Sequence, residues 1–344
     1  MTGDFATLPD LASRALGASV VHATDDLFAE RENLIRPEPP VFAPDTFGNR
    51  GKVYDGWETR RRREPGNDAA VVRLGAPGIL RGVVVDTAFF RGNFPPFVSV
   101  EATSVEGYPS PAELQATVWE TIVARSPAHG DTANRYAVDS DRRWTHLRLS
   151  IYPDGGVARF KAHGEVVPDP RFLEGLVDLA ALENGGTVVD CSNMFYSSPV
   201  NLILPGRARS MADGWENARR RDDGNDHVTI RLAAAGRVRD VVVDTSYFVG
   251  NAPGRVRLSA AEAGSAPGAD PASWTEIVPP ARVQPDTRHR FLVEGGPPVT
   301  HVRLDVFPDG GLSRLSVNGE LEPAALEQMR RRWRDALPAC HSRF

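Results

Sequence analysis

Chemically able side chains cluster in this chain, and each cluster is written twice. Asp55-Gly56-Trp57-Glu58 leads into Arg61-Arg62-Arg63, and Asp213-Gly214-Trp215-Glu216 leads into Arg219-Arg220-Arg221. Guanidinium forks suit two-pronged recognition of a small carboxylate. A glutamate beside them adds a group able to move a proton. On an extended chain Trp57, Thr59 and Arg61 face one way, and Glu58, Arg60 and Arg62 the other. The bland alternative puts Trp in a core and leaves Glu and Arg in solvated pairs of little energetic value. Recurrence of the same residue types at the same spacing favours a role that both copies needed.

Other repeated groups carry weaker signals. Asp86-Thr87 with Phe90, Gly92 and Asn93 returns as Asp244-Thr245 with Phe248, Gly250 and Asn251. A carboxylate closing an apolar strand must be paired, bonded to the next loop, or functional, because burying it alone is costly. His146 and His301 each open an amphipathic run, where a half-buried structural histidine competes with acid–base use. Gly66-Asn67-Asp68 and Gly224-Asn225-Asp226 read first as turns. His22, Asp25 and Asp26 gather acids and an imidazole in the first copy, and Asp190 and Asn193 lie near the matching positions. No His-Glu-x-x-His spacing occurs, so the metal signal is weak. Neither a phosphate-cradling glycine loop nor a Gly-x-Ser-x-Gly elbow is present.

The elements that position these groups are themselves duplicated. Residues 53–93 align without a gap onto 211–251, with 23 of 41 positions identical. That is a whole domain built twice, not a solenoid unit. The offset is 168 from Leu8 to Val21, 158 in the central block and 155 from His146 onward. The first copy therefore carries ten extra residues (168 − 158), placed by Pro and Gly in the loop from Pro37 to Gly51. Two domains follow, residues 1–168 and residues 169–344. Short β-rich runs bounded by Gly and Pro (Val71 to Leu74, Gly82 to Asp86, Phe97 to Ala102, Leu147 to Ile151) predict an all-β chain of two tandem jelly-roll sandwiches. Tyr152-Pro153-Asp154-Gly155-Gly156 reads as a hairpin turn returning into Val157 to Phe160. Helices are expected only at Pro9 to Leu16, Phe172 to Leu182 and Pro323 to Leu337, the last with a stripe of Leu326, Met329, Trp333 and Leu337.

Composition narrows the class of partner. A chain of 344 residues can bury two cores. A net charge of −5 and a pI near 5.9 argue against nucleic acid and anionic membranes. Two cysteines, Cys191 and Cys340, encode no disulfide framework. No apolar run is long enough to span a bilayer, and no secretory signal is evident, so a cytoplasmic protein is expected.

Taken together, the Asp-Gly-Trp-Glu segments, the arginine runs, the Val-Asp-Thr…Phe…Gly-Asn blocks and the Tyr/Phe-Pro-Asp-Gly-Gly turns resemble the allantoicase family, over residues 8 to 320 or so. The resemblance implies two jelly-roll domains similar to galactose-binding modules, and a homo-oligomeric cytosolic hydrolase that converts allantoate and water to ureidoglycolate and urea. It departs from the family pattern at Asn67 and Asn225, where a histidine is expected, with Ala69 and His227 after the aspartates. No role is assigned to that segment. For this chemistry Glu58, Asp86 and His146, or Glu216, Asp244 and His301, are the acid–base candidates. Arg61 and Arg62, or Arg219 and Arg220, would hold the carboxylate, with Trp57, Trp215, Asn93 and Asn251 completing the substrate-binding set. No cofactor is firmly implied, and a divalent metal to activate water stays open. The extra loop is expected to cover a site or to contact another subunit. The competing reading is a tandem lectin-like binding module without chemistry.

Overall fold

The computed structural model of the chain describes residues 4–49, 51–262 and 273–343. In the first copy the strands are β1 (Ser19–Ala23), β2 (Phe47–Gly48), β3 (Gly51–Lys52), β4 (Trp57–Glu58), β5 (Asp68–Asp86), β6 (Phe97–Thr103), β7 (Val105–Glu106), β8 (Glu120–Pro127), β9 (Ala133–Ala137), β10 (Arg143–Tyr152), β11 (Gly156–Val157) and β12 (Arg159–Val166), with one short helix, α1 (Pro111–Ala116). The second copy holds β13 (Leu176–Asp178), β14 (Thr187–Cys191), β15 (Asp226–Asp244), β16 (Arg255–Glu262), β17 (Thr275–Arg282), β18 (Arg288–Leu292), β19 (Val299–Phe307) and β20 (Arg314–Leu321), followed by α2 (Pro323–Asp335) and β21 (Ser342–Arg343).

The two copies are all-β sandwiches of one topology. Residues 70–73 of β5 lie between β1 and β10, whereas residues 82–86 lie between β9 and β12. One 19-residue strand thus belongs to both layers, and the two short strands expected at Val71–Leu74 and Gly82–Asp86 are its ends. The strand turns its corner at Pro77-Gly78, where a side chain on Gly78 would stand 2.5 Å from the Glu165 carbonyl. β15 repeats the arrangement, with β14 and β19 flanking residues 228–231 and β18 and β20 flanking residues 240–244.

The turn after β10 also differs from expectation. β10 pairs with β5 and β6, whereas β11 pairs with β4 and β12 with the far half of β5. Pro153 to Gly156 therefore carries the chain between layers and makes no hairpin. Both copies hold a cis bond here, Tyr152–Pro153 and Phe307–Pro308. Two expected helices are absent. Over Pro9–Leu16 the chain forms only a 3-10 turn at Arg14–Leu16, because the Asp10 carboxylate is spent on the Ala12 and Ala162 amides and ties the segment to β12. Over Phe172–Leu182, Gly175 takes φ +80° and the next residues add β13 to the edge of β20. The third helix is α2.

By compactness the chain divides into Met1–Val167 with Trp333–Phe344, and Pro168–Arg332. The C-terminal residues, which sequence alone left with the second repeat, thus cluster with the first unit. Arg143 explains it. Fully buried, it donates Nε to the Trp333 carbonyl at 3.0 Å and lies 3.3 Å from the centre of that indole. The repeated motifs supply large, fully buried side chains to each unit, Trp57 and Phe90 in the first and Trp215 and Phe248 in the second.

Candidate active site

Each copy gathers the same groups at one end of its sandwich. β4 is only two residues long and pairs Glu58 with Gly156 and Trp57 with Val157. The pairing is close because Gly156 has no side chain: a Cβ there would stand 2.0 Å from the Phe90 ring, and its counterpart on Gly311 would stand 1.9 Å from Phe248. Trp57 goes inward and is wholly buried, as is Trp215. Glu58 faces out of the core toward the loop that follows β5.

The structure brings Glu58 and Asn93 together. The Asn93 amide donates to Glu58 Oε1 at 2.7 Å, and Asn251 donates to Glu216 in the same way. Burial raises the Glu58 carboxyl above the usual range, and the Asn93 hydrogen bond opposes that by favouring the ionised form. A half-buried carboxyl with one fixed donor and a raised pKa suits proton transfer.

The arginine run folds around an acid bracket. Asp25 Oδ1 accepts from the Arg60 amide at 2.8 Å and Oδ2 from Arg60 Nε at 2.7 Å, while its carbonyl accepts the Trp57 indole N–H at 2.7 Å. Arg62 Nη1 donates to Asp68 Oδ1 at 2.8 Å, and Thr24 Oγ1 donates to the same oxygen. The Arg62 amide is held by Asp154 from the turn after β10. In the second copy Asn193 replaces Asp25 and Ala218 replaces Arg60, an ion pair exchanged for a neutral contact with the backbone bonds kept. Arg220, Asp226, Ser192 and Asp309 reproduce the rest. Arg220 is also paired with Asp222, whereas Arg62 keeps a buried Nε with no partner. Arg60 to Arg63, with Thr24, Asp25 and Asp68, line a cleft of about 400 Å³.

Several expected site residues fall elsewhere. Trp57 and Trp215 are core residues whose only polar atom is spent on a backbone carbonyl, so neither can touch a substrate. The chain leaves the sheet after Glu58, so strand alternation stops there: Thr59 is buried, and Arg61, expected on the Trp57 side, is exposed. Arg61 and Arg219 have no hydrogen-bond or ion-pair partner among the described residues and are available to an anion. Arg62 and Arg220 act first as braces. Asp86 and Asp244 accept from the amides two residues on, Ala88 and Ser246 at 2.9 Å, which is the loop-bonded outcome. His146 lies six residues (152 − 146) before the end of β10, about 20 Å along the strand from the Glu58 end. It is buried against Thr145, and its pKa is lowered to about 4 by burial and the nearby Arg73 charge. His301 likewise bonds Thr300 and is lowered by burial and Arg231. Neither histidine joins the Glu–Asn pair.

The donor set does not fit a metal. Among the described residues no group of three or more His, Cys, Asp and Glu side chains gathers at ligand spacing. Asp25 is consumed by Arg60, and His22 faces Gln115. Of the bracket residues, Asp25 is singled out in the sequence only as part of a weak metal set with His22 and Asp26, and Thr24, Asp68 and Asp154 carry no site assignment there. The signal was there, since the offset of 168 sets Thr24 on Ser192 and Asp25 on Asn193.

Fold and site together define a duplicated jelly-roll protein with a carboxyl–amide pair and a guanidinium cluster at one end of each sandwich. The allantoicase repeat model matches residues 9–167 and 177–322. A probable allantoicase of Nocardia farcinica is 54% identical over 92% of this chain and 95% of its own. The allantoicase of Dictyostelium discoideum is 42% identical over 91% of this chain and 87% of its own. A crystal structure of allantoicase from Saccharomyces cerevisiae superposes with a TM-score of 0.77 at 34% identity, covering 91% of this chain and 93% of that one. The chain belongs to the allantoicase family.

Proposed function

We infer that the protein is a hydrolase that converts allantoate and water to ureidoglycolate and urea, a step of purine breakdown. The observation that carries the chemistry is the half-buried Glu58, fixed by Asn93 and raised by desolvation, two residues along the chain from the arginines that line the cleft of about 400 Å³. Allantoate holds two ureido groups and a carboxylate on one carbon. Arg61, exposed and without a partner among the described residues, is the anchor for the carboxylate. Glu58 as a carboxylate takes a proton from water while the water oxygen bonds to the central carbon. The bond from that carbon to one ureido nitrogen breaks, and Glu58 passes the same proton to that nitrogen as urea leaves. Asn93 keeps the carboxylate oriented. Atoms balance with no further reactant.

The test is urea release from allantoate by the wild-type chain and by Glu58→Gln. Absence of turnover by the wild type, with and without divalent metal, overturns the reading. The same reading makes the enzyme a cytoplasmic homo-oligomer with no nucleic-acid or membrane partner. The net charge of −5 supports it, and no described helix is long and apolar enough to cross a membrane. Light scattering at micromolar concentration checks the assembly, and a monomer refutes it.

A further inference from the structure

A second cleft, of about 490 Å³, lies between residues 26–36 and residues 48–49 and 51–55 of the first copy, and the mechanism above does not use it. It backs onto the Glu58 strand. Phe28 and Ala29 both donate their amides to the Glu58 carbonyl at 3.3 Å, and the Asn33 amide donates to the Gly56 carbonyl at 2.9 Å. One wall is formed by the end of the inserted loop, which the second copy lacks, and by the residues that follow it, Lys52 to Asp55. The wall is braced from inside. Asp55 Oδ2 accepts from the Val41 amide at 2.9 Å and from Arg159 Nη2 at 2.8 Å, and the buried Arg159 also donates to the Glu38 carbonyl at 3.0 Å. A loop held this way presents a preformed cleft.

Its lining has a definite chemistry. Only two lysines occur in the chain, Lys52 and Lys161, and Lys52 is in this wall. Its ammonium lies 4.7 Å from the Phe42 ring centre and 5.7 Å from that of Tyr54, with no carboxylate partner among the described residues. Tyr54 is fixed by its packing on Phe90, 5.2 Å between ring centres. Asn33 keeps a buried Oδ1 without a partner. Asp26 and Glu30 add acceptors at the edge. Arg36, 3.4 Å from Asp55, adds a second cation, so the lining carries both signs of charge. A ligand with one carboxylate and several N–H donors would use both signs of charge.

We propose that this cleft is a second small-ligand site, confined to the first copy, for a ureide or amide that carries one carboxylate, with Lys52 as its counter-charge. It rests on the proposed function only in the choice of allantoate as probe. Two measurements on the full chain test it. Lysine acylation read by mass spectrometry compares Lys52 with Lys161. Allantoate at ten times its dissociation constant slows acylation of Lys52 about tenfold and leaves Lys161 unchanged, while urea alone protects neither. Equilibrium binding in Glu58→Gln with Glu216→Gln, which spares the probe at both copies, loses one allantoate per chain when Lys52→Met is added. Lys52→Arg in the same background keeps it. Equal acylation of Lys52 with and without allantoate, protection by urea alone, or a stoichiometry that Lys52→Met leaves unchanged overturns the proposal. Urea release measured alongside separates the two readings. A wild type without turnover defeats the hydrolase while Lys52 still reports on the cleft, and turnover with Lys52 unprotected defeats the cleft alone.

Discussion

Gly156→Ala is the sharpest perturbation this fold permits near the site. The added Cβ would stand 2.0 Å from Phe90 Cδ1 and Cε1, well inside the ~3.5 Å of an ordinary carbon contact. Either the Phe90 ring or β11 must move by about 1.5 Å. Phe90 is 1% exposed and packs on Tyr54, so the ring has little room. Overpacking of this kind costs about 1–3 kcal/mol, or about 2–4 °C of melting temperature per kcal/mol in a domain of this size. Because Gly156 pairs with Glu58, displacing β11 also moves the carboxyl from Asn93, and turnover falls with stability. Gly311→Ala meets Phe248 at 1.9 Å and carries the same stability cost in the second copy. Guanidinium denaturation followed by fluorescence gives the two losses, and urea release gives the activity. Phe90→Ala alone leaves a cavity worth about 3–5 kcal/mol. Combined with Gly156→Ala it costs less than the sum, since the new methyl fills part of the void. A Gly156→Ala chain as stable as wild type, or strictly additive losses, refutes the packing argument.

Other outcomes follow from the same geometry. Glu58→Gln with Glu216→Gln lowers kcat/KM about 100-fold or more. The acidic limb of the wild-type pH profile sits above the usual carboxylate range and disappears in the variant. Asn93→Ala removes the donor that favours the charged form, so that limb moves to still higher pH; a shift downward contradicts the assignment. His146 is buried and neutral, with its pKa at about 4. The unfolded chain binds a proton below about 6.5 and the folded ring does not until about 4, so acid favours unfolding in that window by up to about 3 kcal/mol. His146→Gln removes this dependence, and urea-melt stability at pH 7 and pH 4.5 checks it. Asp25→Asn with Arg60→Ala copies the Asn193–Ala218 arrangement and leaves stability within about 1 kcal/mol of wild type, measured by thermal melts. A larger loss means the exposed pair carries more than its twin position indicates.

The duplication, the all-β class and the Glu, Arg and Asn candidates were legible because identical residues at constant offsets mark shared backbone geometry. Alternation identified the ends of β5 but not its middle, where the strand turns a corner at Pro77-Gly78 without breaking. The expected helix at Phe172–Leu182 became β13 because pairing to β20 outweighed weak local propensity. The two histidines misled for a related reason: recurrence marks a shared role, and here that role is a place on the strand beside a hydroxyl, buried on β10 and half-buried on β19.

By itself the sequence determined that one sandwich is built twice, that the first copy alone carries an extra loop, and which residue types recur. These are properties of order along the chain. Tertiary structure alone decided which recurrent groups meet. It joined Glu58 to Asn93, spent Asp25 and Asp68 on the arginines, sent Trp57 inward and left His146 a strand's length away. Such choices depend on pairing register and on which layer each half of β5 joins, and no local pattern encodes either.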